Sequence, residues 1–146
     1  MTQGGEKMHQ TAANTGIELI DRDECLALLR ADEIGRLAVI DGGRPVIFPV
    51  NYVLDAEDIV FRTAPGTKVE QGPRAPACFE IDGFDRPHRA GWSVVVTGRL
   101  EEVTAYNGSL FAHARELPVH PWADGPKDHI MRLVPATITG RRIRGS

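Results

Sequence analysis

The sequence predicts a mainly β protein: a six-stranded antiparallel barrel, closed or partly closed, with a few short helices. Three observations point there. Short runs of alternating or β-branched residues recur from Ile34 to Ile143. Glycine-, proline- and aspartate-rich clusters separate them at short intervals. Only two stretches have helical composition, one early and one late. A barrel leaves few open edges on such strands. A chain of 146 residues is expected to form one domain with a core that needs no crosslinks.

The elements follow in order. Met1 to Gly16 is polar, has no apolar run of the signal-peptide kind, and is expected to be a disordered tail ahead of a single domain over residues 17–146. Asp21 to Ala31, DRDECLALLRA, places Cys25, Leu26, Leu28 and Leu29 in an apolar stripe beside Arg30. Asp21 can cap this helix, with Glu24 three residues on as in a capping box. Ile34–Ile40 and Arg44–Leu54 read as a hairpin across the tight turn Asp41-Gly42-Gly43. Asp55 to Asp58 is a second turn and Ile59–Thr63 a third strand; Ala64 to Gly72 reads as a loop with room for one helical turn. Ala77–Ile81 is a fourth strand, and Asp82 to Ala90 is polar and irregular. Trp92–Val103 is a long fifth strand in which Gly98 marks a bulge or bend. Tyr106–Leu117 has helical composition and stops at Pro118. Val119 to Lys127 is a loop broken by Pro121, Gly125 and Pro126, and His129–Ile143 is the last strand.

Charge and cysteine usage narrow the function classes. A net charge of −3 gives no general attraction to nucleic acid or an anionic membrane, so any anion site must be a local cluster of cations. Cys25 and Cys78 lack metal-ligand spacing and read as two buried thiols acting as small hydrophobes, with a disulfide left open. No stretch approaches the roughly 18 apolar residues of a membrane span. Together these features lead us to expect a cytoplasmic protein. The five histidines are scattered, and neither an HExxH nor a nucleophile-elbow pattern occurs.

The richest stretch for chemistry is Phe61-Arg62-Thr63-Ala64-Pro65-Gly66-Thr67-Lys68. Arg62 can engage two phosphate oxygens through its planar fork, and Lys68 adds a mobile point charge. Gly66 permits close backbone approach, while Thr63 and Thr67 offer hydroxyls. Read by itself, the stretch fits a solvated polar loop equally well. In Pro49-Val50-Asn51-Tyr52 a proline interrupts a strand, which implies an edge or kink with free backbone groups. Val50 and Tyr52 face one way and Asn51 the other, a mix that suits a planar heterocycle; an ordinary irregular strand accounts for the segment too. Trp92 and Trp122 are the chain's two tryptophans. Trp122, in His120-Pro121-Trp122, fits the cover of a ring, a subunit contact or the closure of a barrel end. Arg132 lies on the last strand, which can aim it at a fixed point. The terminal Arg141, Arg142 and Arg144 and the acidic pair Glu101-Glu102 read as solvated.

With these residues in view, the chain resembles the pyridoxamine 5′-phosphate oxidase-like family of flavin-binding split barrels, and within it the small bacterial branch that includes the nitroimidazole-resistance proteins. The matching features run in order from Ile34 to Arg142: IGRLAV, PVNY, IVFRTAPGTK, ACFEID, GWSVVVTGRLEEV and ITGRRI. The resemblance implies a six-stranded antiparallel split β-barrel and a homodimer with two cofactor sites in the subunit interface. Pro49, Val50, Asn51 and Tyr52 would line the isoalloxazine. Arg62, Thr63, Gly66, Thr67 and Lys68 would hold the phosphate of FMN, with Arg132 nearby. Trp92 and Trp122 would reach a site, including that of the other subunit. The implied function is FMN-dependent oxidoreduction of a small-molecule substrate. The alternative is a non-catalytic protein that binds or stores a flavin, a deazaflavin or heme, for which His120 is the loosely suggestive axial ligand. Two departures bear on the chemistry. The position of Arg62 is typically histidine in nitroimidazole-resistance proteins. The C-terminal arginine and histidine pattern of true pyridoxamine phosphate oxidases is not evident. Neither nitroimidazole reduction nor vitamin B6 oxidation is therefore assigned.

Overall fold

The computed structural model describes residues 16–64 and 75–145. Along these residues the elements are β1 (Ile17–Ile20), α1 (Arg22–Ala31), β2 (Ile34–Asp41), β3 (Arg44–Asn51), β4 (Val53–Asp55), β5 (Asp58–Thr63), β6 (Ala75–Asp85), β7 (Ala90–Val103), a 3₁₀ turn (Ala105–Asn107), α2 (Ser109–Arg115) and β8 (His129–Ile143). The sheet order is β3-β2-β6-β7-β8-β5-β4, every described pair being antiparallel. β8 organises the sheet. β7 runs along one of its edges; on the other edge β5 pairs with His129–Leu133 and β1 with Gly140–Ile143. The sheet curls far enough to bring β3 into contact with β5. This is the split barrel that the sequence predicts.

Local chemistry explains the turns. The β2–β3 hairpin turns on Gly42 and Gly43 at φ 59° and 79°, the pair of positive angles a type I′ turn needs. Asp21 accepts the Glu24 amide at 2.8 Å, as its capping position predicts, while the Glu24 carboxylate accepts from the Arg142 guanidinium. Alternation on β2, β6 and β7 then turns Leu37, Val39, Phe79, Ile81, Val94 and Val96 inward, where Cys25 and Leu29 of α1 close the barrel end. Burial of each large apolar side chain contributes roughly 1.5–3 kcal/mol. A smaller cluster of Val60, Val103, Ala114, Val119 and Ile130 forms where α2 and the segment after it cover the outer face of β5, β7 and β8.

The structure adds to the expected pattern in several places. Ile17–Ile20 forms an extra strand, hidden in the sequence because it pairs with the distant β8. Arg44–Leu54 is broken at Tyr52, which leaves the ladder and enters the core. The polar run from Asp82 is ordered: β6 and β7 continue to Asp85 and Ala90, and the Asp85 carboxylate contacts His88 Nδ1 at 2.7 Å. Gly108, at φ 58°, splits the late helix into the 3₁₀ turn and α2. Cys25 is buried as expected, and burial, reinforced by Asp21 and Glu24, pushes its thiol up to about 11. Cys78 corrects the reading of two buried thiols. It is exposed because Ala77 and Phe79, its neighbours on β6, take the inward positions; both cysteines are free. Glu101 and Glu102 are also not merely solvated, since they accept from Arg132 and pair with His129 respectively.

Candidate functional site

The site grows from the β4–β5 turn. Asp55 opposes Asp58 across Ala56 and Glu57, and Val53 opposes Val60. The ladder ends at Val53, because the chain breaks at Tyr52; Arg62, two residues beyond Val60 on β5, lies on the same face as Val60. This is the face that α2 and the segment to Val119 cover.

Arg62 Nη2 donates to the carbonyl of Arg115, the last residue of α2, at 3.0 Å. Among the described residues it has no carboxylate partner. Since a carbonyl takes up only part of a guanidinium fork with five donors, Arg62 keeps capacity for an anion. Asn51 is held at both ends of its carboxamide. Nδ2 donates to the Glu33 carbonyl at 3.5 Å, and Oδ1 accepts the Trp122 backbone N–H at 2.8 Å. The Trp122 indole is 65% exposed. A hollow of about 170 Å³ lies below this loop, lined in part by Asn51, Tyr52, Pro118 and His120.

The remaining candidates separate. Pro49 is exposed on β3, the strand that ends the sheet, which fits a proline in a ladder; Val50 is half-buried against the core. Tyr52, expected to line a ring, is instead a core residue. It is 2% exposed, its ring meets Phe79 edge-on at 4.7 Å, and its hydroxyl donates to the Leu29 carbonyl at 2.6 Å. Thr63 turns inward, donating to the Ala64 carbonyl at 3.2 Å. Gly66, Thr67 and Lys68 lie outside the described residues.

Arg132, expected to aim at a phosphate, is already neutralised. Nε and Nη2 donate to Glu101 at 2.9 and 2.7 Å, and Nη1 donates to Asp58 at 3.0 Å. Burial raises the Asp58 carboxyl while Arg132 holds it down. Trp92 lies elsewhere, opposite Gly83 and Arg142. Gly83 is required there, since a Cβ would approach the Trp92 indole nitrogen to 2.7 Å. Trp92 and Phe84 line a groove of about 470 Å³ with Arg142 and Arg144.

Sequence reading missed two parts of this arrangement. The Arg115 carbonyl becomes a partner only through the placement of α2, so no side-chain pattern signals it. His129 pairs with Glu102 at 2.6 Å and stands opposite Thr63 on β5. Its partner lies 27 positions away, on another strand. The candidates that keep capacity for a ligand are the Arg62 guanidinium and the exposed Trp122, whose backbone Asn51 holds; their chemistry suits an anion that bears an aromatic ring.

The family model described as pyridoxamine 5′-phosphate oxidase matches residues 21–142. The chain belongs to this family. An uncharacterized protein of Mycobacterium tuberculosis is 33% identical over 98% of this chain and 95% of its own. The pyridoxamine 5′-phosphate oxidase family fold is shared with a FAD binding protein from Mycobacterium smegmatis, at 33% identity and a TM-score of 0.74, covering 88% of this chain and 99% of that one. A FAD-binding protein from Mesorhizobium loti is 25% identical with a TM-score of 0.66, covering 86% and 97%.

Proposed function

We propose that this chain binds a flavin nucleotide, anchors its phosphate on Arg62, and serves as a flavin-dependent oxidoreductase. The observation that supports this most directly is the state of Arg62. It is fixed at one edge by the Arg115 carbonyl and free of carboxylates among the described residues. It also begins the stretch that supplies Gly66, Thr67 and Lys68. Buried or half-buried cations of a folded domain are ordinarily neutralised, as Arg132 and Arg142 are here. A guanidinium without a carboxylate beside a second cation in sequence fits a phosphate.

When bound, the flavin supplies the electron transfer. The protein's own residues have simpler tasks. Arg62 and Lys68 neutralise the phosphate. Pro49 and Val50, on the terminal strand of the sheet, offer apolar surface and backbone groups to the ring. Trp122 presents an indole face. Simple hydride transfer needs no protein acid or base, which agrees with the absence of a catalytic constellation in the sequence. FMN and FAD share the phosphate next to the ribityl chain, so the Arg62 anchor serves either. The sequence resemblance favours FMN, and the names of the two structural relatives favour FAD. Trp92 belongs to the same reading through a homodimer, in which a second copy would bring its Trp92 groove toward the first copy's Arg62.

The test is a binding series on the purified protein with riboflavin, FMN and FAD, followed by flavin fluorescence, with mass analysis of any co-purified cofactor to separate flavins from deazaflavins. Arg62→Ala is expected to weaken FMN and FAD binding by roughly 10- to 100-fold, the value of a charged hydrogen-bond pair, and to leave riboflavin unchanged. Equal losses for riboflavin and FMN, or no binding of any flavin by the unaltered protein, would overturn the reading.

A further inference from the structure

The carboxamide of Asn51 is engaged at both ends inside the protein. Nδ2 faces the Glu33 carbonyl, and Oδ1 takes the backbone N–H of Trp122. The same Glu33 carbonyl also accepts the Tyr52 amide at 3.1 Å, which ties Asn51 and the residue after it to one point. After Val119, which is buried in the small cluster, the chain crosses to β8 without regular structure and turns through Gly125 at φ 99°. Lys127 bonds back to the Asp124 carbonyl, within the loop. Below the loop is the polar hollow that Asn51 shares with Pro118 and His120. Trp122 itself is two-thirds exposed.

From this arrangement we infer that Asn51 is a positioning residue: it latches the Pro118–Lys127 loop to the end of β3 and so fixes the Trp122 indole as the cover for the flavin ring. The inference rests on the flavin reading above for the identity of the ring, but the latch itself does not. A tryptophan on a free loop would lose backbone as well as side-chain freedom on covering a ligand; one held by its own backbone N–H has already lost part of the backbone share. Asn51 and Arg62 therefore divide the work. Arg62 acts on the charged tail, and Asn51 acts through Trp122 on the ring.

Two variants separate these roles. Asn51→Leu keeps the branched shape and removes the acceptor, while Asn51→Asp keeps an acceptor oxygen for the Trp122 N–H. In the protein without added flavin, hydrogen exchange of the Trp122 amide followed by NMR should speed roughly tenfold in Asn51→Leu, as expected for loss of one hydrogen bond, and should return toward the original rate in Asn51→Asp. With flavin, Asn51→Leu should weaken riboflavin and FMN by the same factor, and Trp122→Ala should do the same with no further loss in the double variant. Unchanged exchange in Asn51→Leu would overturn the latch. Faster exchange with unaltered riboflavin affinity, in a protein that does bind flavin, would overturn its link to the ring. Failure of every flavin to bind would remove the flavin reading and leave the exchange result to decide the latch alone.

Discussion

The hydroxyl of Tyr52 ends on the Leu29 carbonyl at 2.6 Å. Leu29 belongs to the last turn of α1, where carbonyls have no partner within the helix. The tyrosine therefore finishes a helix as well as filling the core, and burial pushes its phenol well above the usual range. Glu80 is the residue whose environment makes a pH prediction. Burial, then the hydrogen bond and charge of Asp82, push it up to about 7 from 4.5, against the opposing charge of Arg36. A carboxyl with a raised folded pKa binds its proton more tightly when folded. For this group stability is greatest below about pH 4.5 and falls as the pH climbs toward 7. Glu80→Gln removes the penalty, so its melting temperature should gain on the unaltered protein across that window. The full advantage at pH 8 should be on the order of 1 kcal/mol, because Glu80 keeps some solvent contact. A constant difference from pH 4 to pH 8 in thermal scans would contradict the assignment. At this scale the sequence was partly legible. Arg62 stood out because its chemistry is local to a short stretch. The neutralisation of Arg132 was not visible, since Asp58 and Glu101 reach it from two other strands.

Elements were more legible than side-chain partners, and the reason is periodicity. Strands with one buried face, such as β2 and β7, display their alternation in sequence. β1 does not, being four residues long and defined by pairing with the far end of β8. The break at Tyr52 was hidden because valine, tyrosine and leucine suit a strand whether or not the ladder continues. Gly98 was legible for a definite physical reason. The β7–β8 register shifts between Thr97 and Gly98, and a Cβ on residue 98 would fall 2.0 Å from the Val134 carbonyl oxygen. A backbone atom of the partner strand cannot rotate away as a side chain can. Gly98→Ala should therefore lower the urea midpoint with an unchanged slope, at a cost of about 1–3 kcal/mol for overpacking. A loss too small to measure would mean that the bulge relaxes at no cost, and the strand pairing around it would need revision.

Across the whole molecule, β8 sets how far apart the candidate residues can be. Arg62 opposes Ile130 near its start, and Trp92 opposes Arg142 near its end. Those positions are separated by roughly 40 Å of strand at about 3.3 Å per residue. On the proposed reading, one copy of the chain would offer two partial sites: Arg62 and Trp122 at one end, and a groove with Trp92, Phe84 and two arginines at the other. The proposed homodimer brings unlike ends together, and a two-fold axis would do so twice. Mixing two inactive variants tests this. Arg62→Ala and Trp92→Ala homodimers each carry one defect in every composite site. After subunits exchange at equal amounts, half of the dimers are mixed, and each mixed dimer has one site with both defects and one with neither. About a quarter of all sites should then regain the original affinity, seen as a high-affinity phase in a flavin titration. If both served a site within one chain, the mixed dimers would show no such phase; if they served separate sites, Trp92→Ala alone would bind flavin with the original affinity. The separation along β8 would then reflect two unrelated binding surfaces.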